Sequence, residues 1–266
     1  METPKKVIII GAGPTGLFVA FQLLKKTNFE IHLYDQRNSI GNKFLVAGKS
    51  GLNLTHSSTR EKLTKNYFGN ETLFEKWFAE FDHSDLVAWA KELGVETFVG
   101  SSGRVFPKSF KAAEILKKWK DELDRHEKFH FNPNHRFSEI EDDRICINGI
   151  WHNFDFCVLA LGGASWSKTG SDGMWKKTLE KYEVKINSFA PLNCGYKINK
   201  WNGFLRENER LPLKYISLSW GDYQVKGDLM LTEWGIEGSP IYYLSHIISK
   251  DKGMGNLILD LSPDLD

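Results

Sequence analysis

Cysteine is scarce in this sequence, and its few copies follow no binding pattern. The three cysteines, Cys146, Cys157 and Cys194, are odd in number, widely spaced and without a C-x-x-C pair. Disulfide frameworks and zinc sites usually show paired or closely spaced cysteines. Of the histidines at 126, 130, 135 and 152, His130 and His135 lack the i,i+4 spacing of a helical ligand pair. We therefore predict no disulfide framework and no metal site, and we interpret all four histidines as non-ligands.

Long apolar runs and an excess of charge are also missing. No apolar stretch reaches the roughly 20 residues that cross a bilayer, and the start, METPKK, leads directly into a strand pattern and is not a signal peptide. The net charge is +1 and the 35 basic residues are dispersed, which gives no reason to invoke nucleic acid or an acidic surface. We expect a soluble cytoplasmic protein with no nucleic-acid partner and no membrane partner.

The sequence does contain a glycine-rich turn between a short strand and a helix. Residues Val7 to Ile10 form a β-branched run that ends in the spacing G-x-G-x-x-G. The first glycine permits a tight turn, the second lets the backbone approach a pyrophosphate, and the third lets the helix pack on the strand. A helix is predicted from about Pro14 to Lys26 and a second strand from Glu30 to Tyr34. Asp35 follows, where a carboxylate can accept hydrogen bonds from a ribose, so an ADP-containing dinucleotide is the predicted ligand.

Residues 38 to 58 are rich in glycine and serine and have little helical or strand period, which predicts a loop. Two interpretations stay open for it. Lys43 could hold a phosphate, the Gly48–Gly51 segment could present N–H groups to a ring or phosphate, and Asn53 and Thr55 could add hydrogen bonds. Alternatively, this is a surface loop whose glycines serve only turns.

Apolar periodicity then predicts a helical excursion over about 59–95, with helices in 71–93. It predicts another helix that begins near residue 109, with five residues pointing inward: Ala112, Ile115, Leu116, Trp119 and Leu123. The GSSGRVFPK stretch before that helix is predicted to be a loop. Residues 129–141 are predicted to form one strand, followed by a hairpin across Asn148-Gly149. After Pro191, the segments KYISLSW, GDYQVKG and DLMLTEW read as short antiparallel strands joined by glycine turns. The chain is accordingly divided into domains at 1–190 and 191–266.

Six motifs, spread in order over nearly the whole chain, resemble a bacterial family of FAD-dependent oxidoreductases: GAGPTGL, GNKFLVAGKSGLNLTHS, GSSGRVFPKSFKA, LALGGASWSKTGSDG, APLNCGY and TEWGIEGSPIYYLS. The family is described as NAD(P)/FAD-dependent oxidoreductases and as aminoacetone-oxidase-like flavoproteins, and a flavoenzyme of bile-acid dehydroxylation is related to it. The resemblance implies an α/β fold, with a Rossmann-like FAD-binding domain of the glutathione-reductase type, an inserted β-rich domain and a small helical excursion.

The resemblance also implies which residues hold the cofactor. The pyrophosphate is expected to lie on the glycine turn, and the adenosine ribose on Asp35. The loop that bears Lys43 is expected to run along the flavin, and the glycine pair after the strand FCVL is expected to close over the FAD. The expected FAD-binding residues are Gly11, Gly13, Pro14, Thr15, Gly16, Asp35, Gln36, Arg37, Lys43, Gly51, Asn53, Thr55, Gly162 and Gly163. Many relatives carry a GGGRCN-like run where this chain has GKSGLN, which argues against a catalytic loop cysteine. No motif identifies a catalytic acid, base or nucleophile.

By the same resemblance, the chain is expected to transfer a hydride between FAD and a small organic substrate. NAD(P)H would bind transiently as the reductant, and an oxidase that uses oxygen would need none. Relatives continue beyond the position of Asp266 and return to the FAD domain with a glycine-rich segment. The 1–190 domain is therefore expected to be incomplete and 191–266 to be part of the insertion. Either the sequence is a fragment or a truncated gene product, or the missing segment comes from a separate chain. The alternative is a truncated, non-catalytic remnant that binds FAD or a nucleotide.

Overall fold

The computed structural model describes residues 3–48, 51–198, 209–251 and 253–264. The chain divides into two compact units, Met1–Asn187 and Ser188–Asp266. This division lies near the boundary placed at residue 190. The assignment of the two parts as an incomplete FAD domain and part of an insertion remains a prediction.

The first unit alternates strands and helices in the way that the glycine turn and its neighbours predict. Its elements are, in chain order, β1 (Lys6–Ile10), α1 (Pro14–Lys26), β2 (Glu30–Tyr34), α2 (Asn42–Ala47), β3 (Thr55–His56), α3 (Arg60–Thr64), α4 (Glu71–Glu80), α5 (His83–Glu92), β4 (Thr97–Val99), β5 (Arg104–Pro107), α6 (Ala112–Asp124), β6 (Phe129–Asn132), β7 (Phe137–Ile140), β8 (Arg144–Ile147), β9 (Ile150–Asn153), β10 (Phe156–Leu159) and α7 (Trp175–Glu180). The predicted bounds of β1, α1 and β2 match these to within one residue.

A parallel sheet with the strand order β10-β1-β2-β6 forms the centre of this unit. Strand β1 is buried on both faces, which explains its unbroken β-branched run. Val7 and Ile9 face a core that includes α1, α5 and α6. The five α6 residues predicted to point inward are all buried there, as predicted: Ala112, Ile115, Leu116, Trp119 and Leu123.

The opposite face of the parallel sheet is covered by a three-stranded antiparallel sheet, β7-β8-β9. Ile8 and Ile10 from β1 pack there against Ile145 and Ile147 from β8. The hairpin predicted at Asn148-Gly149 joins β8 to β9, and both of its turn residues have positive φ, 50° and 79°. This is the conformation that a two-residue hairpin turn requires.

Three predicted segments are wrong in detail. The loop over 38–58 contains α2 and β3, and the predicted loop before α6 contains β5, which pairs with both β3 and β4. The regularity of β3 and β5 comes from pairing with distant strands, so it leaves little period in the sequence. The single strand over 129–141 is two strands, because the chain turns at Asn134, whose φ is 59°. Strand β6 joins the parallel sheet and β7 the antiparallel one.

Asp82 begins α5 and connects it to α3. Its carboxylate accepts hydrogen bonds from the N–H and the hydroxyl of Ser84, at 2.8 and 2.6 Å, and from Arg60 Nη2 at 2.9 Å. The side chain of Asp85 accepts in turn from the Asp82 N–H, which completes a capping box. The hydrogen bonds from Ser84, and then that from Arg60, hold the pKa of Asp82 well below its usual range.

We expect Asp82→Ala to lower the free energy of unfolding by about 1–2 kcal/mol at pH 7, because α5 loses its N-cap. The pKa of this carboxylate is lower in the folded than in the unfolded chain, so its contribution is fully present above about pH 4–5. That contribution is lost as the pH falls towards the folded-state pKa. The difference in unfolding free energy between the wild type and the variant should therefore shrink at pH 3, as measured by urea unfolding.

The matched control for this experiment is Glu61→Gln, which removes a carboxylate from an exposed ion pair with Lys65 on the neighbouring helix α3. Exposed pairs contribute little, so we expect the free energy of unfolding to change much less than in Asp82→Ala at either pH. An equal loss in both variants, or a loss in Asp82→Ala that is the same at both pH values, would contradict the assignment.

The second unit is an antiparallel sheet that packs on one helix. Its elements are β11 (Tyr196–Lys197), β12 (Arg210–Trp220), β13 (Tyr223–Thr232), β14 (Gly235–Gly238), α8 (Ser239–Lys250) and β15 (Leu257–Asp260), in the sheet order β11-β14-β13-β12-β15. The prediction of a strand break at Gly227 is wrong, because β13 runs through it. A Cβ at Gly227 would lie 3.0 Å from Cγ of Pro240, so this glycine allows close packing on α8 and does not form a turn.

Among the described residues, no helix combines the length and apolar character needed to cross a membrane.

Candidate functional site

The carboxyl ends of the parallel strands meet at one edge of the sheet, and a cleft of about 230 Å³ opens there. This is the edge at which open α/β sheets bind ligands. Most of the predicted cofactor residues line the cleft: Gly11, Gly13, Pro14, Thr15, Asp35, Gln36, Lys43, Gly162 and Gly163. Ligand pockets usually span roughly 300–1,000 Å³, so this cleft is large enough for only one part of a dinucleotide.

The three glycines of the turn have different structural roles. Gly11 has φ +109°, and a Cβ there would lie 2.3 Å from the carbonyl oxygen of Ala160. A Cβ at Gly16 would lie 1.9 Å from the carbonyl oxygen of Gly11. At Gly13, apart from the adjoining chain, no atom of the described residues comes within 4 Å of such a Cβ. Gly11 and Gly16 are thus needed for packing, whereas the space beside Gly13 is open towards the cleft.

Gly13 is also the N-cap of α1, and Pro14 occupies the start of this 13-residue helix. As a glycine, Gly13 has no side chain that could cap the helix, so N–H groups of the first turn stay available to a ligand. Together with the partial positive charge of the helix N-terminus, they suit an anionic phosphate group. The donor set and the open space beside Gly13 therefore fit the pyrophosphate of FAD.

Asp35 is held in place by the backbone of the glycine turn. Its Oδ2 accepts a hydrogen bond from the Ala12 N–H at 2.7 Å, and its Oδ1 accepts one from the Arg37 N–H at 2.7 Å. Each carboxylate oxygen can accept more than one hydrogen bond. Asp35 can therefore bind ribose hydroxyls without releasing either N–H group.

Gln36 and Arg37 hold the loop that follows β10. Gln36 Nε2 donates to the carbonyl of Gly170 at 2.8 Å, and Arg37 Nη2 donates to that of Lys168 at 2.6 Å. Gln36 lines the cleft, whereas Arg37 is not among its lining residues. The direct contact of both with a cofactor remains a prediction, and positioning the 167–172 segment is the role that their geometry supports.

The same segment anchors the second glycine pair. Ser171 Oγ lies 2.5 Å from the carbonyl oxygens of both Leu161 and Gly163, and Trp175 Nε1 donates to the carbonyl of Gly162 at 3.0 Å. Gly162 has φ +71°, which favours glycine. Ser171 and Trp175 thereby fix the backbone that forms this wall of the cleft.

Sequence reasoning missed several residues that line the cleft. They are Gly41, Asn42, His135, Arg136, Phe137, Ser171 and Trp175. Arg136 is of particular interest because it adds a cation, and it lies shortly after β6 at the ligand-binding edge of the sheet. Its position just after a parallel strand could have identified it. The sequence prediction placed it inside one long strand over 129–141, so this position was not recognised.

Other predicted residues lie away from the cleft lining. Gly16 packs beneath the turn, Thr55 pairs with Val105 in a separate sheet, and Asn53 is exposed. A Cβ at Gly51 would lie 3.4 Å from the Phe110 ring. Residues 49 and 50 of the Gly48–Gly51 segment lie outside the described residues. The contact of these loop residues with the cofactor remains a prediction.

Thiol chemistry is disfavoured on the strand that leads to the second glycine pair. Burial raises the pKa of Cys157, on β10, to about 11. A thiol with this pKa stays protonated near neutral pH, and the thiolate is the nucleophilic form. Cys157 is therefore a packing residue.

The chain is similar to several known proteins. A 3-dehydro-bile acid delta(4,6)-reductase from Clostridium scindens is 23% identical over 252 residues, which cover 92% of this chain and 61% of the reductase. The chain thus spans about three fifths of that relative's length. Among solved structures, THI4 of Thermovibrio ammonificans is 16% identical, with a TM-score of 0.45 over 68% of this chain and 64% of THI4. The quinol fumarate reductase FrdA of E. coli is 12% identical, with a TM-score of 0.45 over 61% of this chain and 33% of FrdA.

The family model described as "HI0933-like protein Rossmann domain" matches residues 5–241. This match confirms both the flavoprotein family that the six motifs resemble and the α/β, Rossmann-like fold class. The chain therefore belongs to the HI0933-like Rossmann family of FAD-dependent oxidoreductases.

Proposed function

We propose that this chain binds FAD in the cleft and serves hydride transfer between the flavin and a small organic substrate. The observation that carries the proposal is the open space beside Gly13 at the N-terminus of α1, next to a fixed carboxylate, Asp35. These features provide N–H donors for a pyrophosphate and an acceptor for ribose hydroxyls, which is the chemistry of an ADP moiety.

Each part of the cleft then has a distinct task. The first turn of α1 binds the pyrophosphate, Asp35 binds the ribose, and Lys43 and Arg136 supply positive charge to the cleft lining. The segment around Ser171 holds the backbone at Gly163, which closes over the cofactor. The bound flavin supplies the hydride-transfer chemistry, while the protein binds and orients it.

The relative from Clostridium scindens supports a reductase acting on a small organic molecule, since it is named a reductase of a 3-dehydro-bile acid. We propose NADH or NADPH as a transient reductant, because the sequence has no second G-x-G-x-x-G unit that would form a dedicated nicotinamide domain.

The test is an absorbance spectrum of the purified 266-residue protein, before and after addition of FAD, followed by anaerobic NADH and then NADPH. We expect flavin bands that stay with the protein through gel filtration and bleach with one of the two nicotinamides. The proposal of hydride transfer would be contradicted if neither NADH nor NADPH reduces the bound FAD and if adding a 3-dehydro-bile acid together with the reduced nicotinamide also leaves the flavin spectrum unchanged. The chain would then be a FAD-binding protein without this activity. A colourless protein at micromolar FAD would overturn the proposal altogether.

A further inference from the structure

Three side chains of types that can bind a metal ion lie close together on the parallel sheet, and none of them lines the cleft. Glu30 and His32 are two residues apart on β2, so they point to the same face of the sheet. His130 on β6 is the register partner of His32. The strand pairing therefore brings two imidazoles and one carboxylate together, although His130 lies about a hundred residues from the other two in the chain.

The distances between the donor atoms suit a single shared ion. Glu30 Oε1 lies 3.1 Å from Nε2 of His32 and 3.1 Å from Nε2 of His130. One ligand atom from each of the three residues lies within 4.8 Å of the other two. Ligand atoms bound at 2.0–2.1 Å to a tetrahedral zinc ion lie about 3.3 Å from one another. Only small side-chain adjustments are needed to place an ion between them.

The three side chains are accessible to solvent, and they already lie close together. The His32 side chain is 19% exposed, whereas those of His130 and Glu30 are 41% and 37% exposed, so an ion can enter from solvent. The two imidazole rings lie with their centroids 4.7 Å apart. Burial of His32 between its neighbours limits the side-chain entropy that binding would cost, compared with three freely exposed side chains.

We propose that Glu30, His32 and His130 form a binding site for a divalent transition-metal ion of the zinc class. Two imidazole nitrogens and one carboxylate oxygen favour zinc, cobalt, nickel or copper over magnesium and calcium, which prefer oxygen ligands. Three protein ligands leave a coordination position for water. The ion links β2 to β6, the edge strand of the parallel sheet, and so adds its binding free energy to the stability of this unit.

This site is separate from the nucleotide cleft. Glu30 starts β2 and Asp35 follows its end, and a strand rises about 3.3 Å per residue, which places His32 roughly 10 Å from Asp35. None of the three ligands lines the cleft. Lys6 is the register partner of Glu30, and its positive charge repels a metal ion bound there. We therefore expect the site to bind the ion with micromolar rather than nanomolar affinity.

The experiment uses the full chain, without a polyhistidine tag and freed of metal by a chelator that is then removed. Co²⁺ is titrated while visible absorption is followed, and Zn²⁺ affinity is obtained by competition. The test variants are His130→Gln and Glu30→Gln, and the matched control is His126→Gln, which removes a histidine four residues before His130 that is not part of the cluster. Circular dichroism checks that each variant is folded.

We expect the wild type and His126→Gln to bind one equivalent with the same affinity, and Zn²⁺ to raise their unfolding temperature. His130→Gln and Glu30→Gln should bind at least roughly tenfold more weakly, because each loses a direct ligand. Their unfolding temperatures should no longer respond to Zn²⁺. Absence of Co²⁺ and Zn²⁺ binding by the wild type, or equal affinity in all three variants, would overturn the proposal and leave a hydrogen-bonded His–Glu–His cluster.

Discussion

Replacing Gly13 with valine is expected to weaken FAD binding by about 100-fold or more, which corresponds to roughly 2.7 kcal/mol. Apart from the adjoining chain, a Cβ at this position has no neighbour within 4 Å among the described residues, and it lies in the space that a pyrophosphate needs. The φ of Gly13 is −79°, which any residue adopts. The substitution therefore blocks the ligand and leaves the fold intact.

The measurement is FAD affinity by flavin fluorescence or calorimetry, with the unfolding temperature recorded for each protein. Gly13→Ala serves as a graded control, because its single methyl group should weaken binding less than the valine side chain does. A Gly13→Val protein that binds FAD within twofold of the wild type would show that the pyrophosphate does not approach this backbone.

Gly16→Ala is expected to destabilise the protein by about 3–5 kcal/mol, against the usual trend for helices. In an ordinary helix interior, glycine to alanine stabilises by roughly 1 kcal/mol. Here the new methyl group would lie 1.9 Å from the carbonyl oxygen of Gly11 and 3.4 Å from Cγ2 of Ile9. The obstacle is backbone, so relief requires α1 to move away from β1.

Urea unfolding measures this effect, and Thr15→Ala is the matched control on the same turn. Thr15 is exposed, so its replacement should change the unfolding free energy by less than roughly 0.5 kcal/mol. Unchanged or increased stability of Gly16→Ala would mean that α1 and β1 are not packed as closely as described. Together, the two glycine substitutions separate ligand approach at Gly13 from packing at Gly16.

Sequence reasoning succeeded where the signal is local. The run from Lys6 to Asp35 carries its own strand, turn, helix, strand and acid, and each is specified by neighbouring residues. The inward face of α6 was identified for the same reason, because helical periodicity repeats within the element. The Asn148-Gly149 turn was identified because positive φ at both positions is a property of those residues themselves.

Sequence reasoning failed where regularity comes from a distant partner. Strand β5 forms because it pairs with β3 and β4, and its own residues show no apolar alternation that predicts a strand. Gly227 appears in a strand because Pro240 of a helix packs on it, and a glycine in isolation indicates a turn. The links from Gln36 and Arg37 to the 167–172 segment join residues more than 130 positions apart.

The amino-acid sequence by itself determined the nucleotide turn, the family and the fold class, because these depend on residue types at short, fixed spacings. Only the tertiary structure decided that Gly13 alone of the three glycines leaves open space, since that depends on where Ala160 and Gly11 place their carbonyl oxygens. It likewise brought His130 beside His32 and Glu30, after helical spacing had indicated that His130 is not a ligand. The contacts made by Ala160 and His130 have one physical reason: parallel strands pair in hydrogen-bonded register, which joins residues that the chain itself keeps far apart. The contact of Gly16 with Gly11 is local and depends on how closely α1 packs on the turn.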